Sequence, residues 1–283
     1  MRTPMLRRTI LALLGLLLPA LATNAATLKE TFQKTYPLRA GEKVTLRNVN
    51  GAVVVEAWDR AEVQVVAEKA VKAGDAELAK KAMSQIQIQA GRADGGLRIE
   101  TKLPKRNNGV FDWMFGRDVS MNVAYRLRVP REARLDVVTV NGGLRLAGTR
   151  GDASLGTTNG GIEVEKAEGR LELATTNGAI QVADSAGSVE AETTNGGIEI
   201  ELHDVAVGDD MRFSTTNGAV TLRLPRDIRV SLDAAVSNGR VSSDFEVDGA
   251  DARNRRRLSG DINGGGGRLV VRTTNGSVTI EEI

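Results

Sequence analysis

The chain has 283 residues, with 38 Lys and Arg against 36 Asp and Glu, one His, no Cys and only 3% aromatic residues. Without cysteine there are no disulfides and no lipid attached through a processed cysteine, and a single histidine leaves no zinc site of the usual ligand set. Arg2, Arg7 and Arg8 account for three of the basic residues; the rest of the chain is balanced at 35 basic to 36 acidic, which excludes the basic field expected of a nucleic-acid binder.

Residues 1–26 read as a secretory signal peptide. The three arginines form its basic end, Ile10 to Leu21 its apolar core, and Ala20-Leu21-Ala22 or Thr23-Asn24-Ala25 its small-residue cleavage site. The apolar run is shorter than the ~20 residues that span a bilayer. Cleavage between Thr23 and Thr27 is therefore expected, rather than retention as an anchor, and it leaves no stable membrane span. Arg7-Arg8 also fits twin-arginine export, so both export routes stay open. The expected address is the periplasm or the cell surface.

Residues 27–134 read as a β-rich cap continuous with the repeats C-terminal to it. Thr27 to Pro37 leads into the first strand, and Val44 to Val55 and Glu62 to Lys72 alternate apolar and polar residues as strands do. Asp75 to Ser84 is the one helix, capped by Asp75, with Leu78, Ala79, Ala82 and Met83 as its apolar stripe. Ile86 to Gln89, Leu97 to Leu103 and Met121 to Val129 read as further strands. Between the last two, Pro104 to Asp118 carries Phe111, Trp113 and Phe115, an unusual aromatic density for this chain. Such a loop either docks on a partner, a glycan or a membrane surface, or folds back over the core of the cap.

From residue 135 to 283 the sequence repeats. Asn-Gly pairs stand at Asn141-Gly142, Asn159-Gly160, Asn177-Gly178, Asn195-Gly196, Asn217-Gly218, Asn238-Gly239 and Asn275-Gly276, with an outlying copy at Asn50. Successive asparagine numbers differ by 18 three times, then by 22, 21 and 37. Apolar residues keep fixed offsets around each Asn: Leu171 and Leu173 precede Asn177, Ile180 and Val182 follow it, and the same holds for Met211, Phe213, Val220 and Leu222 around Asn217. Two short period-2 segments with a change of parity between them are two strands meeting at a corner. Glycine is expected at that corner for its tolerance of positive φ. Gly151, Gly169 and Gly187 mark a second corner, again 18 apart. The pattern predicts an all-β solenoid of about 18 residues per coil, whose coils bury their apolar pairs only by stacking. Asp244 to Gly267, with Arg253, Arg255, Arg256, Arg257 and Gly264 to Gly267, breaks the repeat. It lacks the ending of a phosphate-binding loop and reads as a solvated insertion.

The repeated T-T-N-G-[GA]-[IV], together with Val44-Thr45-Leu46, Asn50-Gly51-Ala52-Val53 and the glycine run before Arg268-Leu269, resembles a bacterial family of cell-envelope β-solenoid domains labelled putative adhesins. The resemblance runs from about Val44 to Ile283. It implies the architecture and brings no catalytic residues with it.

Candidate chemistry is sparse. His203 stands alone in a loop, the serines lack a nucleophile elbow, and Gly151 of Arg150-Gly151-Asp152 occupies a corner position. On one outward face Arg145, Glu163, Gln181 and Glu199 are expected to stack in successive coils; on the other Glu172 is expected beside Glu190, with Glu192 near, where the carboxylates repel unless screened or bridged by a cation such as calcium. The sequence therefore predicts a non-enzymatic envelope binding module with no cofactor and no metal, whose partner is an envelope protein or glycan. The alternative is a β-helical carbohydrate-active enzyme using paired carboxylates.

Overall fold

The structure is a computed structural model that describes residues 26–93, 95–104, 119–250 and 255–283. The cap contributes β1 (Ala26–Pro37), β2 (Lys43–Arg47), β3 (Val53–Trp58), β4 (Glu62–Ala73), α1 (Ala76–Ser84), β5 (Gln87–Ala93), β6 (Gly96–Lys102) and β7 (Ser120–Pro130). The repeats contribute β8 (Arg134–Val138), β9 (Leu144–Ala147), β10 (Ala153–Asn159), β11 (Ile162–Glu165), β12 (Leu171–Asn177), β13 (Ile180–Ala186), β14 (Val189–Asn195), β15 (Ile198–Asp204), β16 (Met211–Asn217) and β17 (Val220–Leu224). The C-terminal strands are β18 (Val230–Asn238), β19 (Val241–Ser243), β20 (Arg257–Ile262), β21 (Gly267–Asn275) and β22 (Val278–Glu282).

The strands form two 11-stranded sheets that face each other as the walls of a β-solenoid. One runs β1-β4-β7-β3-β9-β11-β13-β15-β17-β22-β19, the other β20-β18-β21-β16-β14-β12-β10-β8-β2-β6-β5. In the middle coils each strand residue pairs with its counterpart one repeat on: Leu171 with Val189, Ile162 with Ile180. Side-chain alternation then sends each apolar pair inward, and Leu171, Leu173, Ile180 and Val182 are all buried. Size is balanced between rungs, since Phe213, among the largest fully buried side chains, lies in register with Ala191.

The coils do not stack in the order of the chain. β16 pairs with β21, placing Asn217 beside Asn275 across 58 residues of sequence. β17 likewise pairs with β22, so the C-terminal coil sits between the Asn217 coil and the β18–β19 coil that precedes it in sequence. The sequence offsets locate each coil, yet they do not contain this threading. At the other end β2 lies beside β8 and β3 beside β9, so the Asn50 coil abuts the Asn141 coil across 91 residues.

Antiparallel strands close both ends: β1 on β4 and β5 on β6 at the first, β20 on β18 at the second. Thr27 to Pro37 is thus part of a full 12-residue strand rather than a lead-in. Asp244 to Gly267 is not simply a solvated insertion, because it supplies β20, which covers β18 and buries Ile262. Helix α1 begins where the sequence places it, with the Asp75 carboxylate accepting the Leu78 N–H at 2.8 Å. Among the described residues no helix is long and apolar enough to cross a membrane. The signal-peptide reading, up to residue 25, and the aromatic loop with Phe111, Trp113 and Phe115 lie outside the described residues.

Candidate binding surface

The surface is built on the T-T-N-G corners, and each residue of the motif has its own role there. The first Thr points inward: Thr157, Thr175, Thr193, Thr215 and Thr273 donate their hydroxyls to the carbonyls of Gly142, Gly160, Gly178, Gly196 and Gly218 on the neighbouring coil, at 2.9 to 3.0 Å. These bonds satisfy the carbonyls inside the corner, where an unpaired acceptor would be costly. The second Thr of each motif, from Thr158 to Thr274, faces solvent.

The asparagines stack into a ladder along the whole molecule. Each Nδ2 donates to the Oδ1 of the next rung at 2.7 to 2.9 Å, running Asn238, Asn275, Asn217, Asn195, Asn177, Asn159, Asn141 and Asn50. The order of rungs repeats the threading of the C-terminal coil.

At five of the eight Asn-Gly corners the glycine has a different reason from the positive φ that the sequence suggests. Gly142, Gly178, Gly196, Gly218 and Gly276 are not in the left-handed region. They are needed because the coils touch there through backbone. A Cβ on Gly178 would stand 2.1 Å from the Gly160 carbonyl oxygen, and one on Gly196 1.9 Å from that of Gly178. Positive φ is found at Gly51 (128°), Gly160 (158°) and Gly239 (157°) of the Asn-Gly corners, and at Gly169 (111°) and Gly187 (104°) of the second corner. There Lys166 and Asp184, at equivalent places in successive coils, adopt φ 53° and 47°.

Between these corners the outward faces are broad and charged. On one sheet Arg145, Glu163, Gln181 and Glu199 lie in register. Arg145 donates to Glu163 at 3.4 Å and to Glu165 at 3.0 Å, and Arg223 clamps Glu199 at 2.7 Å and Glu281 at 2.9 Å. Two shallow depressions lie on this face. One of about 390 Å³ is floored by Ala52, Gly143, Gly161 and Ala179, beside Arg145 and Glu163. The other, about 300 Å³, is lined by Glu163, Glu165, Gln181, Glu199, Glu201 and Arg223. On the opposite sheet Glu172 and Glu190 are register partners. An arginine attends each, Arg170 with Glu172 at 3.4 Å and Arg212 with Glu190 at 3.8 Å.

Charge is segregated along the stack in a way that the neutral total hides. Residues 135–210 hold 14 acidic and 4 basic side chains, whereas residues 26–134 hold 13 acidic and 20 basic. The central coils therefore form an acidic belt beside a basic cap.

At the joints between cap, coils and C-terminal strands, carboxylates are held by cations. Asp136 of β8 receives Arg47 at 2.7 Å and Lys43 at 2.8 Å from β2, which keeps its carboxyl below the usual range against the effect of burial. For Asp233 of β18 burial pushes upward, but Arg272 of β21, with Arg257 and Arg268, brings the net shift below the usual range. The Tyr125 phenol, buried in the cap 2.6 Å from the Thr101 hydroxyl, is pushed up to about 12 by burial.

The other residues marked from sequence are scattered. His203 is exposed, 3.7 Å from Asp184. Gly151 sits against the second corner, where a Cβ would meet the Ala133 carbonyl at 2.5 Å, and Asp152 accepts the Arg170 N–H. Among the described residues no three His, Cys, Asp or Glu are grouped to hold a metal. The stack of Arg145, Glu163, Gln181 and Glu199 is the one the repeat step predicts. Sequence reading did not draw from it that the arginines bridge the glutamates, and it missed the acidic belt, which counting charge by coil reveals.

The family model described as "Toastrack DUF4097" matches residues 118–281, more than half of the chain. No curated protein matches it. Among solved structures, a putative adhesin from Bacteroides fragilis is 12% identical with a TM-score of 0.40, covering 90% of this chain and 97% of that one. A putative cell adhesion protein from Clostridium sporogenes is 13% identical with a TM-score of 0.30, covering 90% and 100%. A putative lipid binding protein from Parabacteroides distasonis is 10% identical with a TM-score of 0.32, covering 89% and 96%. The extent of the family match places the chain in the Toastrack DUF4097 family, to which it belongs.

Proposed function

We propose that this Toastrack-family protein is an exported, non-enzymatic binding module of the cell envelope, acting in the periplasm or at the cell surface. Its ligand is an envelope protein or glycan that presents cationic groups to the central coils. The observation that carries this reading is the acidic belt on a flat, open sheet face, where Glu163 and Glu165 of β11 and Glu199 and Glu201 of β15 project on either side of Gln181 and Ala183 of β13. Rows of side chains set by a strand spacing of ~4.8 Å suit an extended or repetitive partner better than a small substrate.

The test is saturable binding of envelope fractions to the purified protein, compared with a Glu165→Lys, Glu201→Lys variant. The expected result is saturable binding that weakens with salt and in the variant, because like charges across an interface oppose association. Turnover of an envelope polysaccharide, abolished by removing one carboxylate, would favour the carbohydrate-active enzyme instead. Binding that ignores both salt and the substitutions would refute the belt as the docking surface.

A further inference from the structure

The ladder of Asn-Gly corners has a chemical as well as a structural side. A backbone amide nitrogen that follows asparagine can attack the side-chain carbonyl carbon, and it does so most readily when the next residue is glycine, which offers no side chain to hinder the approach. A stack built from this dipeptide must suppress that reaction at every rung.

The coils do so through the same bonds that join them. The nucleophile would be the Gly nitrogen, and in seven of the eight rungs its N–H is donated to the Asn carbonyl of the adjoining coil: Gly51 to Asn141, Gly142 to Asn159, Gly160 to Asn177, Gly178 to Asn195, Gly196 to Asn217, Gly218 to Asn275 and Gly276 to Asn238, at 2.7 to 3.0 Å. The electrophile is held in the same seven rungs, because each Oδ1 accepts from the next Nδ2. Attack requires the side chain to turn onto the backbone nitrogen, which breaks both bonds.

The eighth rung differs at both atoms. Threading of the C-terminal coil makes Asn238 the terminal rung. Among the described residues no acceptor receives the Gly239 N–H and no donor reaches Asn238 Oδ1. Arg255 and Arg256, which pass over this end, bond on either side of the corner, accepting the Val241 N–H and the Val236 N–H. Ser237 to Arg240 are exposed. Among the described residues the donation from Asn238 Nδ2 to Asn275 is the one bond that holds the side chain in place.

We propose that Asn238 is the deamidation site of the ladder. The Gly239 nitrogen bonds to Asn238 Cγ, the Cγ–Nδ2 bond breaks, and the proton from the Gly239 nitrogen leaves with the amide as ammonia. Water then opens the resulting five-membered imide at either carbonyl to give aspartate or isoaspartate, and nothing is oxidised or reduced. The product places a carboxylate against Asn275 Oδ1 where a donor stood, and the isoaspartate form adds a carbon to the backbone. Both changes loosen β19, the three-residue strand that follows the corner and pairs with β22. Two further Asn-Gly pairs lie off the ladder. Asn108 is outside the described residues, and the Asn263 amide is fixed by donation to the Arg226 and Ile228 carbonyls at 3.0 and 2.8 Å.

The test is incubation of the purified full-length mature protein at mildly alkaline pH, then digestion under acidic conditions and mass spectrometry of each Asn-Gly peptide. Asn238 is expected to convert at least about tenfold faster than Asn141, Asn159, Asn177, Asn195, Asn217 or Asn275, the factor that one net hydrogen bond is worth. In denaturant all the rates should converge, which shows that the stack sets the difference. Equal rates in the folded protein, or faster conversion at another rung, would overturn the proposal. An Asn238→Asp variant checks the consequence by hydrogen exchange. Faster exchange of Val241–Ser243 with β12 unchanged supports loosening of the end coil, and unchanged exchange at Val241–Ser243 removes that part of the proposal.

Discussion

The coils from β10 to β15 and the strands from β16 to β22 use one corner motif, but they reach their neighbours differently. In the first region each strand pairs with its counterpart in the next coil of the sequence, as β10 does with β12 and β12 with β14. In the second, β16 waits for β21, 58 residues later by the Asn217–Asn275 step, and β18 is laid on the far side of β21. A repeat motif thus specifies what a coil looks like and which residues face inward, while the order of stacking is a separate decision made by end strands and loops. The central coils are interchangeable in principle. The C-terminal coil is not, because it is the last to be made and yet lies inside the stack.

The largest expected effect comes from removing one coil in each region. Truncation after Gly266 deletes β21 and β22, which strips β16 and β17 of a neighbour and leaves β18 and β19 with nothing to pair against in parallel. Cooperative unfolding should be lost, as judged by circular dichroism during chemical denaturation. Deletion of Asn159 to Thr176 rejoins Thr158 to Asn177, restores a T-T-N-G corner and keeps every later side chain on its face. That variant should unfold cooperatively with a smaller m-value. Equal tolerance of the two deletions would erase the distinction between the regions.

Within a central corner, neighbouring glycines separate close backbone approach from mere smallness. A Gly178→Val change pushes a Cβ onto the Gly160 carbonyl and should cost more than about 3 kcal/mol, since the carbonyl belongs to a backbone ladder with nowhere to move. At Gly143 a Cβ would lie 3.5 Å from the nearest atom, the Gly161 carbonyl, so Gly143→Ala should cost under about 1 kcal/mol. Gln181→Ala, on the outer face, should stay within about 0.5 kcal/mol. Denaturation midpoints at constant m-value decide the ranking.

A smaller loss is expected from Thr175→Val, which keeps the shape and removes the hydroxyl that reaches Gly160 at 2.9 Å. Leaving that carbonyl unpaired should cost about 1 to 2 kcal/mol. A cost near zero would mean that water replaces the hydroxyl and that the first Thr of the motif is not an internal clamp.

How much of this was legible depends on what periodicity can encode. The inward pairs, the two corners and the Asp75 cap were readable because each depends on residues near one another in sequence. The β-solenoid class came from the regular step between Asn-Gly pairs. The threading was not readable: Asn238 and Asn275 carry the same motif as Asn217, so nothing local says which of them will stack on it. The positive φ expected of the corner glycine holds at Gly51, Gly160 and Gly239 but not at Gly178 and the other four, where close backbone approach is the reason; a single coil contains no hint that another backbone will come within contact distance. The outward stack of Arg145, Glu163, Gln181 and Glu199 was legible from the same step, and the arginine clamps were one inference further along it. The β20 strand was hidden by its arginines and glycines, which suit a loop but here pair with Asp233 and close the stack end.

The finest test concerns what holds the joints where sequence order and stacking order part. The central coils are registered by the T-T-N-G ladder, which carries no titrating group. The joints add ion pairs whose carboxylates are partly covered: Asp136 with Lys43 and Arg47 between β8 and β2, and Asp233 with Arg272 between β18 and β21. Both carboxyls lie below their usual range in the folded protein. Their unfolded pKa is about 3.9, so their contribution is fully present above that value and is lost as pH falls through the lower folded value. Asp136→Asn should therefore cost about 1 kcal/mol at neutral pH and progressively less as pH falls through the lowered folded value, below which the wild-type carboxyl is itself protonated. Hydrogen exchange in the wild type should show the same division by position. Below about pH 4 the amides of β2, β8, β18 and β21 should lose protection before those of β12 and β14, whose nearby glutamates are exposed to solvent. Uniform loss of protection along the stack would mean that the joints are held as the central coils are, by backbone and asparagine alone.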